Sequence, residues 1–175
     1  MKTSLKIDKS QLNKSLSGED IHKLIDCNVL TYSDLHRHKT IESILGKHKK
    51  AVLLYHTSAS YGHWTTIYEY NNTIFFFDSY GSKLDSQLKY LNENLREDLK
   101  SNHTYLSQLL YNSNKKVEYN QYQFQSKSPG IATCGRWSIH RLKHPDISIE
   151  EYHKIFKEAS KYIDKDVLVC KLVPL

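Results

Sequence analysis

Apolar positions along the chain recur first at helical spacing, then at strand spacing, then at helical spacing again. Ile21, Leu24 and Ile25 share one face of a helix expected over residues 18–26, with Ser17 as its cap and Asp20 three residues on completing a box-like start. A second helix after Ser33 would carry Leu35, Ile41, Ile44 and Leu45 on one face and stop at Gly46. Ahead of both, residues 1–16 are polar and aperiodic and read as an arm over the surface.

Residues 51–55 are a short apolar run that fits a buried strand, and a loop of small residues over 57–62 follows. The runs 63–70 and 73–78 are β-rich. Between them stand Asn71 and Asn72, which tolerate the positive φ of a two-residue hairpin turn. Amphipathic helices are expected over 84–99, through Leu88, Leu91, Leu95 and Leu99, and over 105–111, through Leu106, Leu109 and Leu110. Residues 117–125 alternate as a strand with one phase change at Asn120 and Gln121. A loop containing Pro129 and Gly130 then delivers Cys134 to the start of a helix whose apolar face runs from Trp137 to Leu142. Ser148 caps a helix over 149–163 with Tyr152, Ile155, Phe156 and Ala159 inward, and residues 167–170 read as a last short strand. The pattern is that of one α+β domain over residues 1–175, with a central, mostly antiparallel sheet flanked by helices.

The hairpin carries a geometric expectation. Tyr70 faces Thr73, and counting back sets Ile67 opposite Phe76, Thr65 opposite Asp78 and His63 opposite Tyr80. Alternation then puts His63 and Asp78 on one sheet face as diagonal neighbours, Cβ atoms about 7 Å apart, within reach of an imidazole–carboxylate hydrogen bond. Cys134 stands where open backbone N–H groups and the positive end of a helix dipole favour a thiolate. An activated thiol with a base oriented by a carboxylate is the set of groups that nucleophilic catalysis at a carbonyl requires. Arg136 and Trp137 read as a surface cation and a core aromatic on the same helix.

Composition narrows the classes. A chain of 175 residues can bury roughly 70% of its unfolded surface without disulfide or metal staples. Cys27, Cys134 and Cys170 are odd in number and far apart, so a reduced setting without disulfides or structural zinc is expected, and no metal ligand is assigned. The N-terminus lacks an apolar signal region and nothing approaches the roughly 18 apolar residues of a membrane span, so a soluble, non-secreted protein without membrane association is expected. Lys and Arg outnumber Asp and Glu 25 to 19, a formal charge of +6, in scattered positions that fit either solubility or weak attraction to nucleic acid.

His63 and Trp64, then Asp78 after a run of aromatic strand residues, then a glutamine shortly before Thr133, Cys134 and Gly135, form a pattern that resembles the cysteine proteases of the adenain and ubiquitin-like-protein protease group. It is most similar to the maturation proteases of Sputnik-type virophages, and the resemblance covers about residues 51–142. The resemblance implies an adenain-like, papain-like peptidase fold. Within it, His63 would be the general base, Asp78 the orienting acid, Cys134 the nucleophile, Gln125 the side-chain oxyanion donor, and Trp64 a substrate-binding residue packed beside the imidazole. Gln121 and Gln123 share the alternating face of Gln125, and the interval from glutamine to cysteine is longer than in better-known members, so Gln123 stands as second choice. It also implies cleavage after Gly in small-residue contexts, capsid precursors as substrates, and location in the virion and the host-cell cytoplasm, at the viral factory. A monomer is expected, with no cofactor other than a DNA or peptide activator. One rival is an isopeptidase acting on ubiquitin-like conjugates with the same triad. Another is a non-catalytic, basic nucleic-acid-binding virion protein, against which the intact His63, Asp78 and Cys134 argue.

Overall fold

The computed structural model describes residues 9–58, 61–90, 93–98 and 103–175. Helix Gly18–Leu24 (α1) opens on the expected capping box, in which the Ser17 side chain accepts from the Asp20 N–H and the Asp20 carboxylate accepts from the Ser17 N–H. A five-stranded sheet follows, made of Asn28–Thr31 (β1), Lys50–His56 (β2), Gly62–Tyr70 (β3), Thr73–Phe77 (β4) and Lys116–Tyr119 (β5), in that spatial order. β2, β3 and β4 form an antiparallel meander, and β1 and β5 pair in parallel at its two edges. Parallel pairing needs a crossover. Between β1 and β2 it consists of the 3-10 segment Tyr32–Arg37 and Ile41–Leu45 (α2), and between β4 and β5 it includes Glu93–Asp98 (α3) and Tyr105–Asn112 (α4).

One sheet face packs Ala51, Leu53, Tyr55, Ile67, Ile74 and Phe76 against the crossover helices through Ile41, Ile44, Leu106, Leu109 and Leu110. The other face packs Val52, Trp64 and Tyr68 against Ile139 and Leu142 of helix Cys134–Lys143 (α5). A third cluster of Phe124, Trp137, Tyr152, Phe156 and Val169 joins α5 to Ile149–Ala159 (α6) and Lys165–Leu172 (α7). Each such side chain, fully buried, contributes roughly 1.5–3 kcal/mol relative to exposure.

The α+β layout and the hairpin register stand as the pattern predicts, with Tyr70 opposite Thr73 and Ile67 opposite Phe76. Asn71 and Asn72 carry φ of 48° and 60°. Several elements differ. The helix expected after Ser33 is two pieces, and Gly46 ends the second with φ 59°. The expected helix over 84–99 is a 3-10 segment, Ser86–Tyr90, followed by α3; Leu91, Leu99 and the side chain of Leu95 lie outside the described residues, as does the arm over residues 1–8. β1 is too short for its period to be read. α7 replaces the expected strand over 167–170, because Asp164 caps it by accepting from the N–H groups of Asp166 and Val167, which outweighs the β preference of two valines. The strand expected over 117–125 stops at Tyr119. There the Asn120 side chain accepts from the Tyr122 N–H and donates to the carbonyls of Asp78 and Tyr122, taking over from the ladder.

Candidate functional site

Because β3 and β4 are antiparallel, β3 begins at the end of the sheet where β4 stops. His63 is the second residue of β3 and Asp78 follows the last of β4, so the register brings them together there. Asp78 Oδ1 accepts from His63 Nε2 at 2.7 Å and from the Tyr80 N–H at 2.8 Å, while Oδ2 accepts from Gln87 Nε2 at 3.1 Å. With Nε2 so engaged, Nδ1 is the imidazole nitrogen left for the Cys134 thiol, with which His63 interacts electrostatically and which lines the same cavity. Tyr80 stacks on the imidazole, ring centroids 4.5 Å apart and planes 11° from parallel. The ring is therefore fixed at both edges and on one face.

Burial opposes a charged imidazole here, but the hydrogen bonds to Asp78 and Cys134 and the negative charges of both raise His63 to about 10. Burial likewise pushes the Cys134 thiol up, yet the His63 hydrogen bond and charge, with the backbone N–H groups of Trp64 and Gly135, hold it below the ordinary thiol value. The Thr133 side chain does not cap α5. Its hydroxyl donates instead to Asp166 Oδ1 at 2.5 Å, so no side chain caps the start of α5, where the Gly135 N–H stabilises the sulfur. The two shifts act together: each favours the thiolate–imidazolium form of the pair over the neutral one.

The other two cysteines lack this setting. Burial raises Cys27 to about 11 and raises Cys170 above the ordinary value. Brief iodoacetamide treatment near neutral pH, followed by mass spectrometry, is expected to label Cys134 first. Labelling mainly at Cys27 or Cys170 would exclude a thiolate at Cys134.

Cys134 and His63 open onto a cavity of about 580 Å³ also lined by Gln125, Tyr80, Lys127 and Asn13. The Gln125 Oε1 accepts from Ser79 Oγ at 2.7 Å, which turns Nε2 toward longer contacts with Tyr80 OH at 3.3 Å and the Ile131 carbonyl at 3.4 Å. That leaves a loosely held amide donor lining the cavity onto which Cys134 opens. The three glutamines do not share a face, because residues 120–125 have left the sheet. Gln121 and Gln123 are exposed, and Gln123 donates to the Gln125 carbonyl and lines a different hollow with Asp164 and Lys165. Of the three, the structure brings Gln125 to Cys134.

Trp64 is not beside the imidazole. Alternation sends its side chain to the other sheet face, where Nε1 donates to the Leu16 carbonyl at 2.8 Å and the ring lines a second hollow of about 560 Å³ that meets the first at Cys134. Trp137 is the core aromatic expected, but Arg136 is not at the surface. It is fully buried, donating to the carbonyls of Gln11, Lys14 and Val173.

Asp166 lies one residue before the segment expected as a strand, and no local pattern marks it as part of the site. It is buried on α7, and besides Thr133 it accepts from Trp137 Nε1 at 2.9 Å and from the Ser126 N–H at 2.8 Å. One carboxylate thus ties the residue after Gln125 to the residue before Cys134. Tyr80 did carry a signal, since the hairpin register sets it opposite His63. Among the described residues no group of His, Cys, Asp and Glu is placed to hold a metal ion, and no helix is long and apolar enough to cross a membrane.

Fold and site together define an α+β protein with a thiol, an imidazole and a carboxylate aligned at a helix N-terminus. No family model matches the chain. It is 35% identical over 151 residues, 85% of this chain and 86% of the other, to the uncharacterized protein V9 of the Sputnik virophage, and it belongs to that protein's family. Among solved structures, the ASFV pS273R protease aligns over 94% of this chain and 68% of its own at 11% identity, with a TM-score of 0.49. ChlaDub1 from Chlamydia trachomatis aligns over 94% and 73% at 15% identity, with a TM-score of 0.34.

Proposed function

We propose that the protein is a cysteine peptidase in which Cys134 is the nucleophile, His63 the acid and base, Asp78 the orienting carboxylate and Gln125 the oxyanion donor. The observation that carries this reading is the buried His63–Asp78 hydrogen bond beside Cys134 at the mouth of one cavity, with the thiol lowered and the imidazole raised. The thiolate attacks a peptide carbonyl carbon, forming a C–S bond as the carbonyl electrons move to oxygen. Gln125 Nε2 and the Cys134 N–H stabilise that oxygen. As the C–N bond breaks, His63 gives its proton to the leaving amine; then, as a neutral base, it takes one from the water that hydrolyses the thioester, and the thiolate is restored.

The finer reading is virion maturation by cleavage of capsid precursors at small-residue or Gly sites. It is supported by the resemblance of the His63, Asp78 and Cys134 motifs and by kinship with a virophage protein. The +6 charge supports weak, sequence-independent DNA association as an activating device. Incubation with capsid precursors and with ubiquitin-like conjugates in parallel, with and without DNA at low and high salt, tests these points against a Cys134→Ala control. Cleavage of capsid precursors by the native protein alone is expected. Cleavage of conjugates alone would make it an isopeptidase, cleavage of neither would remove the peptidase reading, and salt-independent rates would remove the role for DNA.

A further inference from the structure

The segment over residues 11–17 makes its bonds to immediate neighbours of the reactive groups. The Leu12 carbonyl accepts from the Ala132 N–H at 2.7 Å, two residues before Cys134. The carbonyls of Gln11 and Lys14 accept from Arg136 Nη1 at 3.0 and 2.9 Å, two residues after it. The Leu16 carbonyl accepts from Trp64 Nε1, one residue after His63. Leu16 also lies against Gly135 so closely that a Cβ there would meet its side chain at 3.0 to 3.1 Å, so the residue following the nucleophile suits glycine.

Arg136 anchors these contacts. Its guanidinium is fully buried, no carboxylate pairs with it among the described residues, and its planar fork is satisfied by Gln11 Oε1 and main-chain carbonyls. A buried cation bonded this way holds the segment at a defined distance from α5, because moving the segment away would strip the charge of its acceptors. Between the anchors, Asn13 and Ser15 are exposed and turn to the reactive side. Asn13 lines the cavity on Cys134, and Ser15 lines both that cavity and the second hollow where they join at Cys134.

Building on the peptidase reading, we infer that residues 11–17 form one wall of the substrate cleft, with Asn13 and Ser15 as specificity-determining residues and Arg136 as the positioning residue that locks this wall to the nucleophile helix. An extended peptide crossing Cys134 from one hollow to the other passes Ser15. A bulky side chain there obstructs a peptide but not a small alkylating reagent.

The test measures Cys134 labelling in the full chain by iodoacetamide and by a peptide-length chloromethyl ketone, with peptide hydrolysis scored separately. Ser15→Trp is expected to slow the peptide-length reagent by about tenfold or more while iodoacetamide labelling stays within about twofold and the thermal midpoint is unchanged. Equal slowing of both reagents, or of neither, overturns the wall. Arg136→Lys keeps the charge and loses the fork. It is expected to raise the concentration of peptide-length reagent needed for half-maximal rate, leaving the limiting rate in place. A fall in the limiting rate alone would mean that Arg136 serves the nucleophile and not the wall. If the native protein hydrolyses no peptide yet Ser15→Trp still discriminates between reagents, the wall stands and the peptidase reading falls.

Discussion

His63→Ala is expected to lower the kcat of the proposed peptidase by about 10⁴-fold or more, because one substitution removes both the proton carrier and the counter-charge of the nucleophile. The second loss can be read without a substrate. In the native protein burial pushes the Cys134 thiol up and the His63 partnership more than reverses it. Without the imidazolium only the backbone N–H groups oppose burial, and Cys27, raised to about 11, marks where a buried thiol without such a partner goes. Cys134 alkylation near neutral pH should then slow about tenfold for each unit by which its pKa climbs above the working pH. Unchanged alkylation in a folded His63→Ala protein would mean that the helix terminus alone sets the thiolate.

The same pair dictates the native pH profile. Activity needs Cys134 deprotonated and His63 protonated. It falls on the acid side as pH drops through the lowered thiol value and on the alkaline side as pH rises through about 10, where the imidazolium is lost. His63→Ala should move the acid limb of the alkylation profile upward, since an unpartnered thiol ionises at higher pH.

What could be read from the sequence divides by the range of the interactions involved. His63 and Asp78 were legible because an Asn-Asn turn sets the register of two strands, and a register is a local quantity that carries across to the opposite residue. Cys134 was legible because a loop ending in a Cys-Gly step marks a helix start. Arg136 was not, since its acceptors on Gln11 and Lys14 lie more than a hundred residues away in a segment without periodicity, and nothing local distinguishes a buried guanidinium from a surface one. Trp64 was misplaced because the resemblance put it beside the imidazole while strand alternation sends neighbouring side chains to opposite faces. In α7 the valines spoke for a strand and Asp164 for a helix cap. The cap prevailed, and with it came Asp166, whose ties to Thr133 and Ser126 hold the two sides of the site in register.

Gln125→Ala is expected to lower kcat by roughly 10²- to 10³-fold, the usual cost of losing one oxyanion donor, while substrate affinity and Cys134 alkylation change little. The reason lies in how the amide is held. Ser79 Oγ fixes Oε1 with a short bond, so Nε2 is the donor that faces the cavity, and its contacts to Tyr80 and the Ile131 carbonyl are long enough to yield to a developing negative charge. Gln123 has no such access: it is exposed and bonded to the Gln125 carbonyl, so Gln123→Ala should cost far less. Gln125→Glu separates the donor from the shape, because a carboxylate of nearly the same size cannot donate to an oxyanion and repels it. Its kcat should fall at least as far as that of Gln125→Ala. A Gln125→Glu protein that keeps native kcat, or a Gln123→Ala protein with the larger loss and an intact fold, would move the oxyanion role off Gln125 and leave the Cys134 N–H or another donor to carry it.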